Sequence, residues 1–226
     1  MGGGFAGRPR SRSRGSKEPL SRDAVVNAAI ACLEMAGPEA LSMRAVARLL
    51  ETGPSSLYAH VANQNDLYSL VVDKVASSIP LPRDGVVGTD AVEAILVGYA
   101  SALTRYPGAA GIALRSTPNG DAALNMFEAL LAALAAAGIE GAEGFRAADA
   151  LMLLVTATVA ERDARRQHAT DTNAGPFYAS VLASSAVRRP LMEALFLGEG
   201  GLWSVDAVDQ LGITWAIRVF LKGLER

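Results

Sequence analysis

The chain predicts an all-α fold, and three observations carry that reading. Apolar side chains recur three and four residues apart through most of its length. No stretch sustains the strict alternation of a half-buried strand. Ala and Leu dominate, while aromatic residues make up only 6% of the chain, which favours helices packed closely through small side chains. At 226 residues, half of them hydrophobic, there is room for one large or two modest cores. The formal charge of −2 excludes a uniform polycation. Its distribution is uneven, however: residues 1–80 hold nine Lys/Arg against seven Asp/Glu, and residues 81–226 hold twelve against sixteen. Any polyanionic partner is therefore expected at the N-terminal end.

Residues 1–20 lack periodicity and interleave Arg8, Arg10, Arg12, Arg14 and Lys17 with Gly, Ser and Pro. They predict a disordered basic arm that is able to follow phosphates or enter a minor groove. A helix then runs from a Ser21 cap to about Ala36, with Val25, Ala29, Ile30 and Leu33 inward and Gly37-Pro38 as its stop. The next helix, Ser42 to Leu50, opens on Ser42 as N-cap and turns Val46, Ala47 and Leu50 inward. Glu51-Thr52-Gly53 breaks the pattern, and Pro54 suits the first turn of a following helix to Val61. In that helix Leu57 and Val61 point to the core, which leaves Ser55, Ser56, Ala59 and His60 outside. Two short helices, a tight turn and a small polar outer face describe a DNA-reading helix-turn-helix.

The residues that carry this reading also carry a resemblance. Leu41, Ser42, Met43, Arg44, Ala47 and then Leu57, Tyr58, Ala59, His60, Val61 resemble the tetracycline-repressor (TetR) family of bacterial transcription regulators. The match runs from about Val25 to about Val75. The resemblance implies that Arg44 reaches a base or phosphate and that Tyr58 and His60 contact the DNA backbone. Ser55 and Ser56 are candidates for base edges or phosphates, Ala59 for a thymine methyl, and Arg48 is a weaker phosphate candidate. An ordinary surface arginine and a packed histidine are the plain alternatives for Arg44 and His60. Three residues depart from the family pattern. Gln64 stands where a phosphate-gripping Lys is usual, Glu51 where a turn Gly is common, and Ala59 where a larger side chain is frequent.

Asn63 and Asp66 form a box-like capping pair for a fourth helix, in which Leu67, Leu70, Val71 and Val75 face inward until Pro80. This helix would link the DNA-binding unit, residues 21–80, to the remainder, residues 81–226. The Pro/Gly-rich stretch 80–88 is the boundary. Beyond it the spacing predicts Asp90 to Arg105 (with Asp90 and Glu93 as a capping pair), a short piece from Pro107 to about Arg115, Asp121 to Ala137, Glu143 to about His168, one or two short helices within 175–197, and a last helix from a Ser204 cap to Lys222. In the last helix Asp206, Gln210, Thr214, Arg218 and Lys222 form one narrow polar stripe. A helix so apolar around the rest of its girth must be buried on more than one side. Two central helices of one large domain would satisfy that. So would two helices meeting their copies across a two-fold axis, and the resemblance favours this homodimer. Two copies would then engage half-sites of a near-palindromic double-stranded DNA operator.

The resemblance also implies a small-molecule effector among the middle helices. Tyr99, Leu103, Met126, Leu130, Met152 and Thr156 are candidate lining residues, with Phe177 and Tyr178 further along. For each of them plain core packing is the alternative. Glu161 and Arg162 are weaker candidates for orienting a polar ligand. Enzyme chemistry finds no support: His60 and His168 lack a metal-ligand pattern, and there is no G-x-S-x-G or phosphate-cradling G-x-x-x-x-G-K-S/T. No cofactor or metal is expected. The single cysteine, Cys32, excludes an intrachain disulfide and suits a small buried filler. The N-terminus lacks the apolar core of a signal peptide, and the apolar run Ala150 to Ala160 is shorter than the ~20 residues of a membrane span. A cytoplasmic protein is expected. The functional expectation is thus a ligand-released transcriptional repressor. The alternative is a helical small-molecule-binding or scaffolding protein with weak or lost DNA binding.

Overall fold

Side-chain caps and positive-φ glycines fix where most helices start and stop. A computed structural model describes residues 20–82, 85–167 and 208–224. In it Ser21 Oγ accepts from Ala24 N at 3.1 Å and starts helix α1, Arg22–Ala36, which Gly37 ends at φ 75°. A 3-10 turn, Pro38–Ala40, leads to α2, Met43–Leu49, where Ser42 Oγ accepts from Ala45 N at 3.2 Å. Helix α3, Pro54–Leu57, follows, and then α4, Gln64–Ala76, capped by Asn63 through Asp66 N at 3.0 Å. The reciprocal Asp66 bond goes to Ala62 N at 2.8 Å, one residue before the expected position. Helices α5, Gly88–Arg105, α6, Ala109–Ala113, α7, Asp121–Ala136, α8, Gly141–Gln167, and α9, Val208–Leu224, complete the described chain. No strand occurs among the described residues.

Two expectations are corrected in these elements. The reading segment 54–61 is a single α-helical turn, Pro54–Leu57, that continues as a tight turn and still buries both Leu57 and Val61. It still bonds helically at its end, with Val61 N donating to Leu57 O at 2.9 Å. Helix α5 begins at Gly88, whose φ of +61° turns the chain into it, and it has no side-chain cap. Asp90 and Glu93 therefore lie inside the helix, and Glu93 accepts two bonds from Arg218 of α9, at 2.7 and 2.8 Å. The basic arm up to residue 19, the helices expected within 175–197, Ser204 and Asp206 lie outside the described residues.

The apolar side chains gather into two clusters. The first joins α1, α2, α3 and the start of α4 around Leu33, Val46, Leu57, Leu67 and Val71. The second joins α5, α7, α8 and α9 around Ile95, Leu103, Leu130, Leu151 and Ile217. Helix α4 belongs to both: Leu67, Tyr68, Val71 and Val72 lie in the first, Val75 and Ala76 in the second. Ile112 of α6 also sits, fully buried, in the first cluster. Close approach makes this possible. A Cβ on Gly108 or on Gly111 would lie only 3.2 Å from the Pro38 ring, and Gly108 also takes φ +84°, which favours glycine. The backbone N–H of Gly108 donates to the buried Asp163 of α8 at 2.9 Å, which holds the start of α6 in place.

Candidate DNA-reading surface and ligand cleft

In the first cluster, burial of Leu57 and Val61 decides what α3 presents. Each is worth about 1.5–3 kcal/mol buried, so the opposite side is forced outward. Ser55, Ser56 and Ala59 are exposed, His60 is half-buried, and the Tyr58 ring is 56% exposed. Arg44 and Arg48, four residues apart on α2, are both exposed on one side of that helix. The turn between the helices closes despite its unusual residue. Glu51 takes φ +49°, the left-handed conformation that glycine prefers, and Thr52 N donates to Ala47 O at 2.9 Å. Gln64 behaves differently from the surrounding candidates. Its amide nitrogen donates inward to Leu41 O at 3.2 Å and to the Tyr68 hydroxyl, so the side chain clasps the entrance of α2. Any phosphate contact at the start of α4 then falls to backbone N–H groups. Asp66 lies nearby, with Arg22 of α1 at 3.8 Å.

A cleft of about 440 Å³ opens between the second cluster and α4. Tyr99, Met126, Met152 and Thr156, four of the candidate lining residues, stand on its wall. Leu103 and Leu130 lie beside these in the same core but do not reach the cleft wall. Phe177 and Tyr178 lie outside the described residues, and Glu161 and Arg162 are not on the wall. Sequence reasoning missed Phe127, Phe145 and Asp149, together with Val72 and Ala76 from α4. Phe145 and Leu153 carried a usable signal, since both are large apolar residues on solvent-facing helix positions, each 57% exposed. Inside the cleft Tyr99 Oη lies 3.0 Å from Thr156 Oγ1, which donates to Met152 O at 2.7 Å. Burial pushes the Tyr99 hydroxyl above its ordinary range, so it stays a neutral hydrogen-bonding group. A second groove, about 580 Å³, lies between α1 and α2 beside Cys32, Met35 and Leu49, and no aromatic residue lines it.

The cleft-bearing half matches a known family profile, described as the tetracyclin repressor-like C-terminal domain, over residues 90–224. The chain belongs to the TetR family. TetR-type proteins are transcriptional regulators, and similar chains carry that description. An HTH-type transcriptional regulator from Saccharopolyspora erythraea is 32% identical over 197 residues, 87% of this chain and 83% of its own. The HTH-type transcriptional repressor DrrR1 of Streptomyces coeruleorubidus is 43% identical over 75 residues, which span 33% of this chain and 28% of that one. Among solved structures, Streptomyces coelicolor ActR in complex with actinorhodin is 27% identical with a TM-score of 0.72, covering 91% of this chain and 97% of that one. No helix among the described residues is long and apolar enough to cross a membrane.

Proposed function

We propose that this TetR-family chain is a homodimeric repressor, released from a near-palindromic operator when a small molecule enters the cleft. One observation carries the reading. Helix α4 closes the DNA-reading unit with Leu67 and Val71 and walls the cleft with Val72 and Ala76. A ligand that prefers one placement of α4 therefore biases the orientation of α3, which is a population shift between two states. ActR, which is similar to this chain and was solved in complex with actinorhodin, supports a small-molecule ligand for this fold. The exposed Arg44, Arg48, Tyr58, Ser55 and Ser56 are the groups assigned to DNA, and the protein acts in the cytoplasm, where that DNA lies.

Binding to the DNA upstream of the protein's own gene tests the proposal. A sequence-selective complex that weakens steeply with salt is expected. The inward Gln64 amide favours a second reading, a helical ligand-binding protein without strong DNA binding, because it withdraws one candidate phosphate contact. Failure to find any salt-sensitive, selective complex would establish that second reading instead.

A further inference from the structure

The folded reading unit is short of positive charge for a protein that holds DNA. Residues 21–80 carry four Lys/Arg, namely Arg22, Arg44, Arg48 and Lys74, against six Asp/Glu, a balance of −2. Arg22 lies 3.8 Å from Asp66, Lys74 stands in the last turn of α4, and the Gln64 amide turns inward. Arg44 and Arg48 are thus the cations of this unit that remain for its reading side. Residues 1–20 hold five Lys/Arg against one acidic residue, and Arg8, Arg10, Arg12 and Arg14 alternate with Pro9, Ser11 and Ser13. That segment joins the folded unit where DNA would lie. Ser21 caps α1, and the Arg22–Asp66 approach sets that end beside the start of α4, directly after the turn that follows α3. Arg14 is seven residues from Ser21 and Arg8 thirteen, a reach of up to about 25 and 45 Å. The minor groove lies half a helical turn, about 17 Å, from the stretch of major groove that α3 would enter.

We propose that Arg8, Arg10, Arg12 and Arg14 enter the minor groove beside each half-site and select narrow, A·T-rich flanking DNA. This rests on the reading of the chain as a DNA-binding regulator. An A-tract narrows that groove and strengthens its negative potential, which draws in arginine. Guanidinium suits the task better than ammonium because it is more weakly hydrated and loses less on leaving water. The small residues between the arginines let a single chain fit a groove about 6 Å wide. The same segment supplies most of the electrostatic affinity. Its five cations per copy add up to about 4.5 to the log–log salt slope, against about 2 from Arg44 and Arg48. The folded unit reads the half-site, and the segment ahead of it adds a preference at base pairs that no folded element touches.

The full-length protein is titrated against two duplexes of equal length, oligo(dA)·oligo(dT) and alternating oligo(dG-dC), with fluorescence anisotropy as the readout at several salt concentrations. The A-tract duplex is expected to bind roughly tenfold more tightly, the size of a groove contact added to phosphate contacts that both duplexes offer. Changing all four residues together, Arg8→Lys, Arg10→Lys, Arg12→Lys and Arg14→Lys, keeps the charge and is expected to keep the salt slope while bringing the two duplexes within about twofold. Deletion of residues 2–17 is expected to abolish the preference and to remove more than half of the slope. Equal affinities of the full-length protein for the two duplexes, a preference that survives either variant, or a slope that the deletion leaves unchanged would each overturn the proposal. Binding to the upstream DNA is followed in parallel. A selective upstream complex that the deletion leaves as tight and as salt-sensitive as before sinks this proposal and sustains the repressor reading. The expected A-tract preference, lost in both variants, with no selective upstream complex does the reverse.

Discussion

At Glu51 the backbone accepts a conformation that a side chain resists. A left-handed residue with a Cβ costs about 1–2 kcal/mol, and the φ of +49° places Glu51 in that region. Glu51→Gly is therefore expected to raise stability by about 1 kcal/mol, since a surface pairing of the side chain is worth less than that. Thermal unfolding measures it, and an unchanged or lower midpoint would show that the turn is not strained. At Arg44 the expectation concerns DNA. Arg44→Ala should weaken the operator complex by about 1–3 kcal/mol and relax preference at one base pair. A variant that keeps both affinity and selectivity, in binding to a panel of operator variants, removes Arg44 from the reading surface. Cys32 has no such role: burial pushes its thiol above the usual range against the pull of the Arg48 charge, so little reactive thiolate forms.

Helix α7 begins at Gly120, which has no side chain to cap it, and the acceptor comes instead from α4. Asp73 Oδ1 accepts from Ala123 N at 3.0 Å, and a Cβ on Gly120 would lie 2.1 Å from Asp73 Cγ, so the glycine makes room for its surrogate cap. Ser69, bonded to Asn119 N at 3.2 Å, ties the same two elements one turn earlier. Asp73→Ala should cost about 1 kcal/mol, the usual worth of an N-cap, while Asp73→Asn keeps an acceptor and most of that stability. Urea unfolding of both variants checks this, and equal losses would mean that the charge, not the hydrogen bond, matters. This tie also marks where sequence reasoning ends. Ser21, Ser42 and Asn63 cap their own helices within three residues, and that pattern is local enough to see in the chain. A cap supplied across 50 residues leaves no local signature, and neither does the inward turn of Gln64. The cleft was half legible for the same reason. Tyr99, Met126, Met152 and Thr156 were candidates because the resemblance implies an effector among the middle helices, whereas the more exposed Phe127, Phe145 and Asp149 gave no such lead.

For the whole molecule, the outer faces of the last two helices are the features left open. Ala157 on α8 is exposed, as are Trp215 at 67% and Val219 at 49% on α9, while Ile213, Ile217 and Leu221 turn into the core. An apolar face of this kind fits the homodimer proposed above. Trp215→Glu is expected to shift the protein towards a single subunit and to weaken operator binding more than tenfold, because each copy would then hold one half-site. Sedimentation at several concentrations reads the first effect; a variant that stays double would move the interface elsewhere. The last helix was legible as apolar on most sides, but which side meets its own core is decided by the burial of Ile213, Ile217 and Leu221, with the Glu93–Arg218 pair bonded beside that seam.

The seat that Ile112 occupies beneath α1 and α4 has a consequence for building hybrid regulators. Splicing this reading unit onto a foreign sensor at the connector 80–88 would leave an isoleucine-sized hole in the first cluster, worth several kcal/mol. Carrying the short 108–114 segment across with its Pro38 notch would fill it. The seam along which sensors can be exchanged thus runs through space, between α6 and α7, and not at the point where the chain itself looks easiest to cut.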